Sequence, residues 1–186
     1  VVGGAVAGGM ATKAMLEKPI DYDARAQNVA NTAAHDKDAA GKMAEKANVK
    51  AAVVNALTLA KGGTQDNALA LLDKMIAGGM KRDEAYSALP DMLKAQIGSN
   101  INPEQLGDLI NSLSNAGFQG DGLKVALSEL VKGGQIGSFE ADSMVANGFS
   151  KLLQNNLNMG MAKDDALRQT VADLQMLKRA TGNDAT

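Results

Sequence analysis

The chain has no cysteine, which excludes a disulfide framework and any thiolate metal site and fits a reducing compartment such as the cytoplasm. It has one histidine, His35, set in a polar stretch between Ala34 and Asp36. One imidazole rules out nitrogen-rich metal sites, and His35 reads as a surface side chain rather than a general base. No G-x-S-x-G turn accompanies any serine, so a Ser–His–Asp site has no support. Aromatic residues make up only 3% of the 186 positions, and tryptophan is absent. Strands favour aromatic and β-branched residues, so this poverty disfavours a sheet. Charge of one sign is also lacking. The net charge is −2 with both signs interspersed, whereas a duplex-binding face is a basic stripe. No specific nucleic-acid partner is expected.

Alanine, leucine, methionine and glycine dominate instead, a mix that favours closely packed helices. A chain of this length buries one substantial core or two small ones. Glycine punctuates amphipathic stretches throughout. Asp21 is placed to cap a helix through about His35, and Asp36 to Ala47 continues it or stands alone. Asn48 reads as the cap of a helix over 49–61, with Val49, Val53 and Ala56 inward. Thr64 opens the next, with Leu69, Leu72, Met75 and Ile76 buried. Asp83 and Glu84 begin another, with Leu89, Met92, Leu93 and Ile97 inward. Pro90 inside it predicts a kink or two short helices meeting. Asn102, Pro103 and Gln105 form a start signal of capping side chain, N1 proline and N3 glutamine. Gly133-Gly134 is read as a stop for the helix ending at Val131-Lys132. Ser138 then caps a restart whose apolar stripe runs through Phe139, Met144, Val145, Phe149, Leu152 and Leu153. Asp164 and Asp165 begin the last helix, with Ala166, Leu167, Val171, Leu174 and Leu177 inward.

An internal repeat lies behind this order. A glycine followed by a large apolar residue recurs at Gly79-Met80, Gly117-Phe118 and Gly160-Met161, each between two amphipathic stretches. Ala88-Leu89 matches Ala126-Leu127, and Ile97-Gly98-Ser99 matches Ile136-Gly137-Ser138. The period is about 40 residues, and one helix pair of that size buries its apolar edge only against another pair. The expected fold is all-α: an array or bundle of antiparallel helical hairpins with a pseudo-repeat of about 40 residues. Chance similarity among alanine-rich helices is the alternative.

Catalytic apparatus is not expected. The acidic pairs Asp83-Glu84 and Asp164-Asp165 sit at helix starts, where the macrodipole accounts for them. No P-loop, G-x-G-x-x-G or EF-hand spacing occurs. No catalytic, cofactor-binding or metal residue is therefore assigned, and no cofactor. Met75, Met92 and Met144 fall on inward faces. Met159 and Met161, flanking Gly160, are the better candidates for a protein-contact surface, together with Phe139 in the loop after Gly133.

The stretch from Gly137 to Gly160 carries a resemblance. A small-residue linker with a basic residue, a Gly-x-Phe-Glu start, an acidic residue before methionine and a long apolar helix ending near Gly160 resemble the core of phage tail tape-measure proteins. That family commonly reads GKF-E--DM; here the residues are Gly137, Ser138, Phe139, Glu140, Asp142 and Met144. Serine replaces the usual Lys or Arg, and Ser143 splits the Asp-Met pair. The similarity runs from about Lys18 to the end. It implies a structural protein that sets tail length by templating tube assembly and leaves ahead of the DNA. Implied partners are tail assembly chaperones, tail-tube subunits and the baseplate hub, and the implied location is the tail lumen, after assembly in the host cytoplasm.

On this reading the chain divides into a Gly/Ala-rich apolar lead-in over 1–18, a helical core over 19–182 and a frayed end over 183–186. The lead-in Val1–Met15 is too short to span a bilayer, which takes about 20 apolar residues. It reads either as a loose lead-in or as the tail of a membrane-active segment, a contact that the resemblance favours. From a different class, a soluble helical-repeat adaptor binding a partner protein accounts for the same pattern.

Overall fold

The computed structural model describes residues 21–99, 101–136 and 148–181. Among them are eight helices and no strands. In chain order these are α1 (21–33), α2 (Ala39–Ala60), α3 (Gln65–Ala77), α4 (Arg82–Ser99), α5 (Pro103–Asn115), α6 (Gly120–Ile136), α7 (Phe149–Asn158) and α8 (Lys163–Thr181). The all-helical class read from composition is what the described residues adopt.

Local chemistry sets most of the boundaries. Asp38 caps α2 by accepting from the Gly41 N–H at 2.8 Å. Thr64 caps α3 by accepting from Asn67 at 3.1 Å, and Asn102 caps α5 by accepting from Glu104 at 2.9 Å. Each cap satisfies an amide that the first turn leaves without a helical partner.

Helix ends follow one recurring design. After α3, Gly79 N–H donates to the Ile76 carbonyl and Met80 N–H to the Met75 carbonyl. After α5, Gly117 donates to Ser114 and Phe118 to Leu113; after α7, Gly160 donates to Leu157 and Met161 to Asn156. This is the Schellman motif, which needs a left-handed residue at its bend. The three glycines supply it, with φ of 96°, 88° and 86°.

The strongest packing between helices that are not consecutive joins α3 to α5, α2 to α4 and α4 to α6, and α5 with α7 and α6 with α8 touch more lightly. Sequential pairs α3–α4, α7–α8, α2–α3 and α5–α6 also pack directly. One apolar cluster runs through the whole, from Ala26, Val29 and Ala30 in α1 to Ala166, Leu167 and Leu174 in α8. Its largest members include Leu72, Met92, Ile110, Phe118 and Phe149. The α3–α5 seam is close because glycines lie in it. A Cβ on Gly107 would lie 2.4 Å from the Lys74 Cβ, and one on Gly78 would lie 2.1 Å from the Asn111 side chain. Asn111 uses that space to donate to the Lys74 carbonyl at 2.8 Å.

Several boundaries differ from the sequence reading. Asn48 is no cap; it sits exposed in mid-α2, because Asp38 starts a single helix that carries both segments expected there. α6 runs through Gly133 and Gly134 to Ile136, since glycine permits a left-handed stop without compelling one. The helix expected to run through Phe149 instead begins there, behind Gly148 at φ 82°. α4 continues as one element through the buried Pro90 rather than as two. Gln105 does not close the capping box, and its Oε1 is buried without a hydrogen-bond partner. Ile97 and Leu177, assigned inward, are 43% and 45% exposed. Ser138, Phe139, Met144 and Val145, with the 1–18 lead-in and 183–186, lie outside the described residues.

Candidate functional site

Of the three residues proposed for protein contact, Phe139 lies outside the described residues, and the structure places the other two on one turn. Met159 is 68% exposed and Met161 36%. The exposure of Met161 follows from how this turn departs from its two counterparts. In the first two turns the residue after the glycine, Met80 or Phe118, is buried. The residue five back, Met75 or Leu113, is buried as well, the apolar pairing usual in this motif. In the third, the position five back is Asn156, whose amide donates to the Thr170 hydroxyl at 3.0 Å in the α7–α8 seam. Thr170 in turn donates to the Ala166 carbonyl at 2.7 Å. A polar bond occupies the place where an apolar partner for Met161 would sit, so its thioether stays outside.

Lys163, just beyond this turn, reaches the preceding one. Its ammonium lies 5.3 Å from the centre of the Phe118 ring and 3.5 Å from the Gly117 carbonyl. The second and third glycine turns are thus neighbours on one edge of the molecule. That edge combines two soft, adaptable thioether side chains with a cation held over an aromatic ring.

A second cluster has no counterpart in the sequence reading. Glu45 of α2 is 1% exposed, the one charged side chain so deeply buried among the described residues. Its Oε1 accepts from the Tyr86 hydroxyl at 2.6 Å, its Oε2 accepts from Arg82 at 3.1 Å, and Lys37 stands 3.8 Å away. Burial, and then the bond to Glu45, push the Tyr86 phenol well above its usual range. The Arg82 guanidinium is also held up, first by its bond to Asp83 and then by the charge of Glu45. A signal was there to be read: Glu45 falls in helical register with Val49, Val53 and Ala56, a carboxylate on an otherwise apolar stripe.

Two further ion clusters lie nearer the surface. Asp23 of α1 accepts from Lys46 and Lys50 of α2, and those bonds hold its carboxyl below the usual range. Asp91 of α4 pairs with Lys124 of α6 at 3.1 Å and with Lys94 at 3.3 Å, and Lys124 first of all draws its carboxyl down. A cavity of about 160 Å³ lies where α1, α3 and α5 meet, lined by Arg25, Asp73, Lys74 and Glu104 among others. Its two cations are already committed, Arg25 to Asp66 at 2.9 Å and Lys74 to Asp108 at 3.1 Å. Among the described residues no group of three His, Asp or Glu side chains is placed to hold a metal ion, and no helix is long and apolar enough to cross a membrane.

The chain matches no family model, no curated protein and no solved structure.

Proposed function

We propose that the chain is a structural, non-enzymatic protein, the folded core of a phage or prophage tail tape-measure protein that sets tail length and is released ahead of the genome. The observation that carries this reading is the repeated turn. Three helix–glycine–helix junctions share one hydrogen-bond design, and α2, α3 and α4 each pack on the next helix but one. That arrangement supports a one-dimensional array of antiparallel helical hairpins with a pseudo-repeat of about 40 residues. The motif residues Gly137 to Met144 supply the family resemblance. An array of this kind opens pair by pair, as a chain threading a narrow tube must, because each pair is held only by its neighbours. Tail chaperones, tube subunits and the baseplate hub are the partners proposed, in the host cytoplasm and then the tail lumen. The apolar 1–18 lead-in is proposed as a membrane contact.

The test is an in-frame deletion of residues 80–117, one repeat, in the phage or prophage that encodes the chain. A helical ruler shortens the tail by about 60 Å, at ~1.5 Å per residue. Tails of unchanged length, measured by electron microscopy, overturn the reading.

The exposed turn of Met159 and Met161 favours a second reading, a soluble helical-repeat adaptor that binds a partner protein there. Replacing both methionines by Ser separates the two: an adaptor loses its partner, whereas a ruler keeps its tail length.

A further inference from the structure

We infer that Glu45 is the pin of a latch that lets α1 and α2 leave the rest of the array as one unit. The α2 face that meets α4 is otherwise apolar, with Val49, Val53 and Ala56 fully buried. Into that seam α2 inserts one carboxylate, and α4 answers with the Tyr86 hydroxyl at 2.6 Å and the Arg82 guanidinium at 3.1 Å. Lys37, from the turn that precedes α2, adds the third charge at 3.8 Å. The next seam of the same kind, α4 on α6, keeps its ion pair outside, since Asp91 and Lys124 are each more than a third exposed. Among the described residues, the burial of charge is therefore particular to the α2–α4 seam.

Such a pin has two effects. Closed, its directional bonds fix how far α2 slides along α4, because a carboxylate displaced by one helical turn would be buried without a partner. Open, the carboxylate, guanidinium and phenol all regain water, and their hydration offsets much of the attraction between them; an all-apolar seam has no such return. α1 leaves with α2 because Lys46 and Lys50 hold Asp23 across their own interface. Toward α3, α1 makes the exposed bridge between Arg25 and Asp66, and opening also parts α1 and α2 from the apolar cluster they share with α3. The inference concerns the fold itself and stands whether or not the chain is a ruler.

Hydrogen exchange on the full chain tests it. In Glu45→Gln the seam keeps its volume but loses the carboxylate charge and leaves the Arg82 guanidinium without its counter-ion, so amides of 21–60 should exchange on the order of a hundredfold faster, with α5, α7 and α8 unchanged. The triple variant Glu45→Met, Arg82→Met, Tyr86→Phe replaces the pin by apolar groups and should slow opening of 21–60 to below the parent rate. The latch is overturned if Glu45→Gln speeds exchange equally in all helices or leaves 21–60 unaffected. It is equally overturned if the triple variant opens 21–60 as readily as Glu45→Gln does.

Discussion

Steric room decides the fate of each glycine separately. Gly107 and Gly78 lie where α3 and α5 touch, and a methyl group at either would intrude on Lys74 or Asn111. Gly107→Ala should therefore destabilise by about 1–3 kcal/mol, the usual penalty of overpacking, even though alanine favours helix. Gly78→Ala should cost as much, because it also drives Asn111 off the Lys74 carbonyl. Gly98, inside α4, has nothing within 4 Å of its would-be Cβ. Gly98→Ala should stabilise by about 0.5–1 kcal/mol, through helix propensity alone. Urea unfolding midpoints for the three variants check the signs. At this scale the sequence was only partly legible. It shows where glycines are, but which of them face a neighbouring helix depends on packing between segments about 30 residues apart. Glu45 is the converse case. Its place among Val49, Val53 and Ala56 was visible, but its partners Arg82 and Tyr86 come from another helix.

Among the elements, starts with a capping side chain and ends with a left-handed glycine were legible, because both are local hydrogen-bond chemistry. Thr64, Asn102, Gly79, Gly117 and Gly160 all act where the pattern put them. Boundaries argued from glycine or asparagine without that geometry failed, as at Asn48 and Gly133-Gly134. The glycine turns make a clean test. Gly117 has open space around its would-be Cβ, yet its φ is 88°. Gly117→Ala should cost about 1–2 kcal/mol from backbone strain alone, and Gly117→Asn less, since asparagine enters the left-handed region more readily. Thermal melts of the two variants against the parent measure the difference. Equal destabilisation would mean that the turn relaxes out of its left-handed bend.

For the whole molecule, the shifted groups define a window of pH. Asp23 and Asp91 are held below the ordinary carboxylate range in the folded state. Their contribution is complete above the unfolded value of about 3.9 and is lost as pH falls through the lowered folded values. Tyr22 and Tyr86 are raised, each chiefly by burial. Their contribution is complete below the unfolded phenol value of about 10 and fades as pH climbs past it. Urea midpoints measured across pH should therefore hold level between these limits and fall on both sides, as far as these groups are concerned. In Tyr86→Phe the alkaline fall should be shallower. These are the only two tyrosines in the chain, so phenolate absorbance reports them directly and should rise later than for free tyrosine. A normal titration near pH 10 would contradict the burial.

The partners of Glu45 stand 37 and 41 positions further along the chain. On a ribosome adding about 5–20 residues per second, Glu45 therefore leaves about two to eight seconds ahead of Tyr86. Through that interval the carboxylate marks the face of Val49, Val53 and Ala56 with a charge that water solvates. A passing nascent chain meets a hydrated anion there, which lessens the risk that α2 aggregates before its proper neighbour arrives.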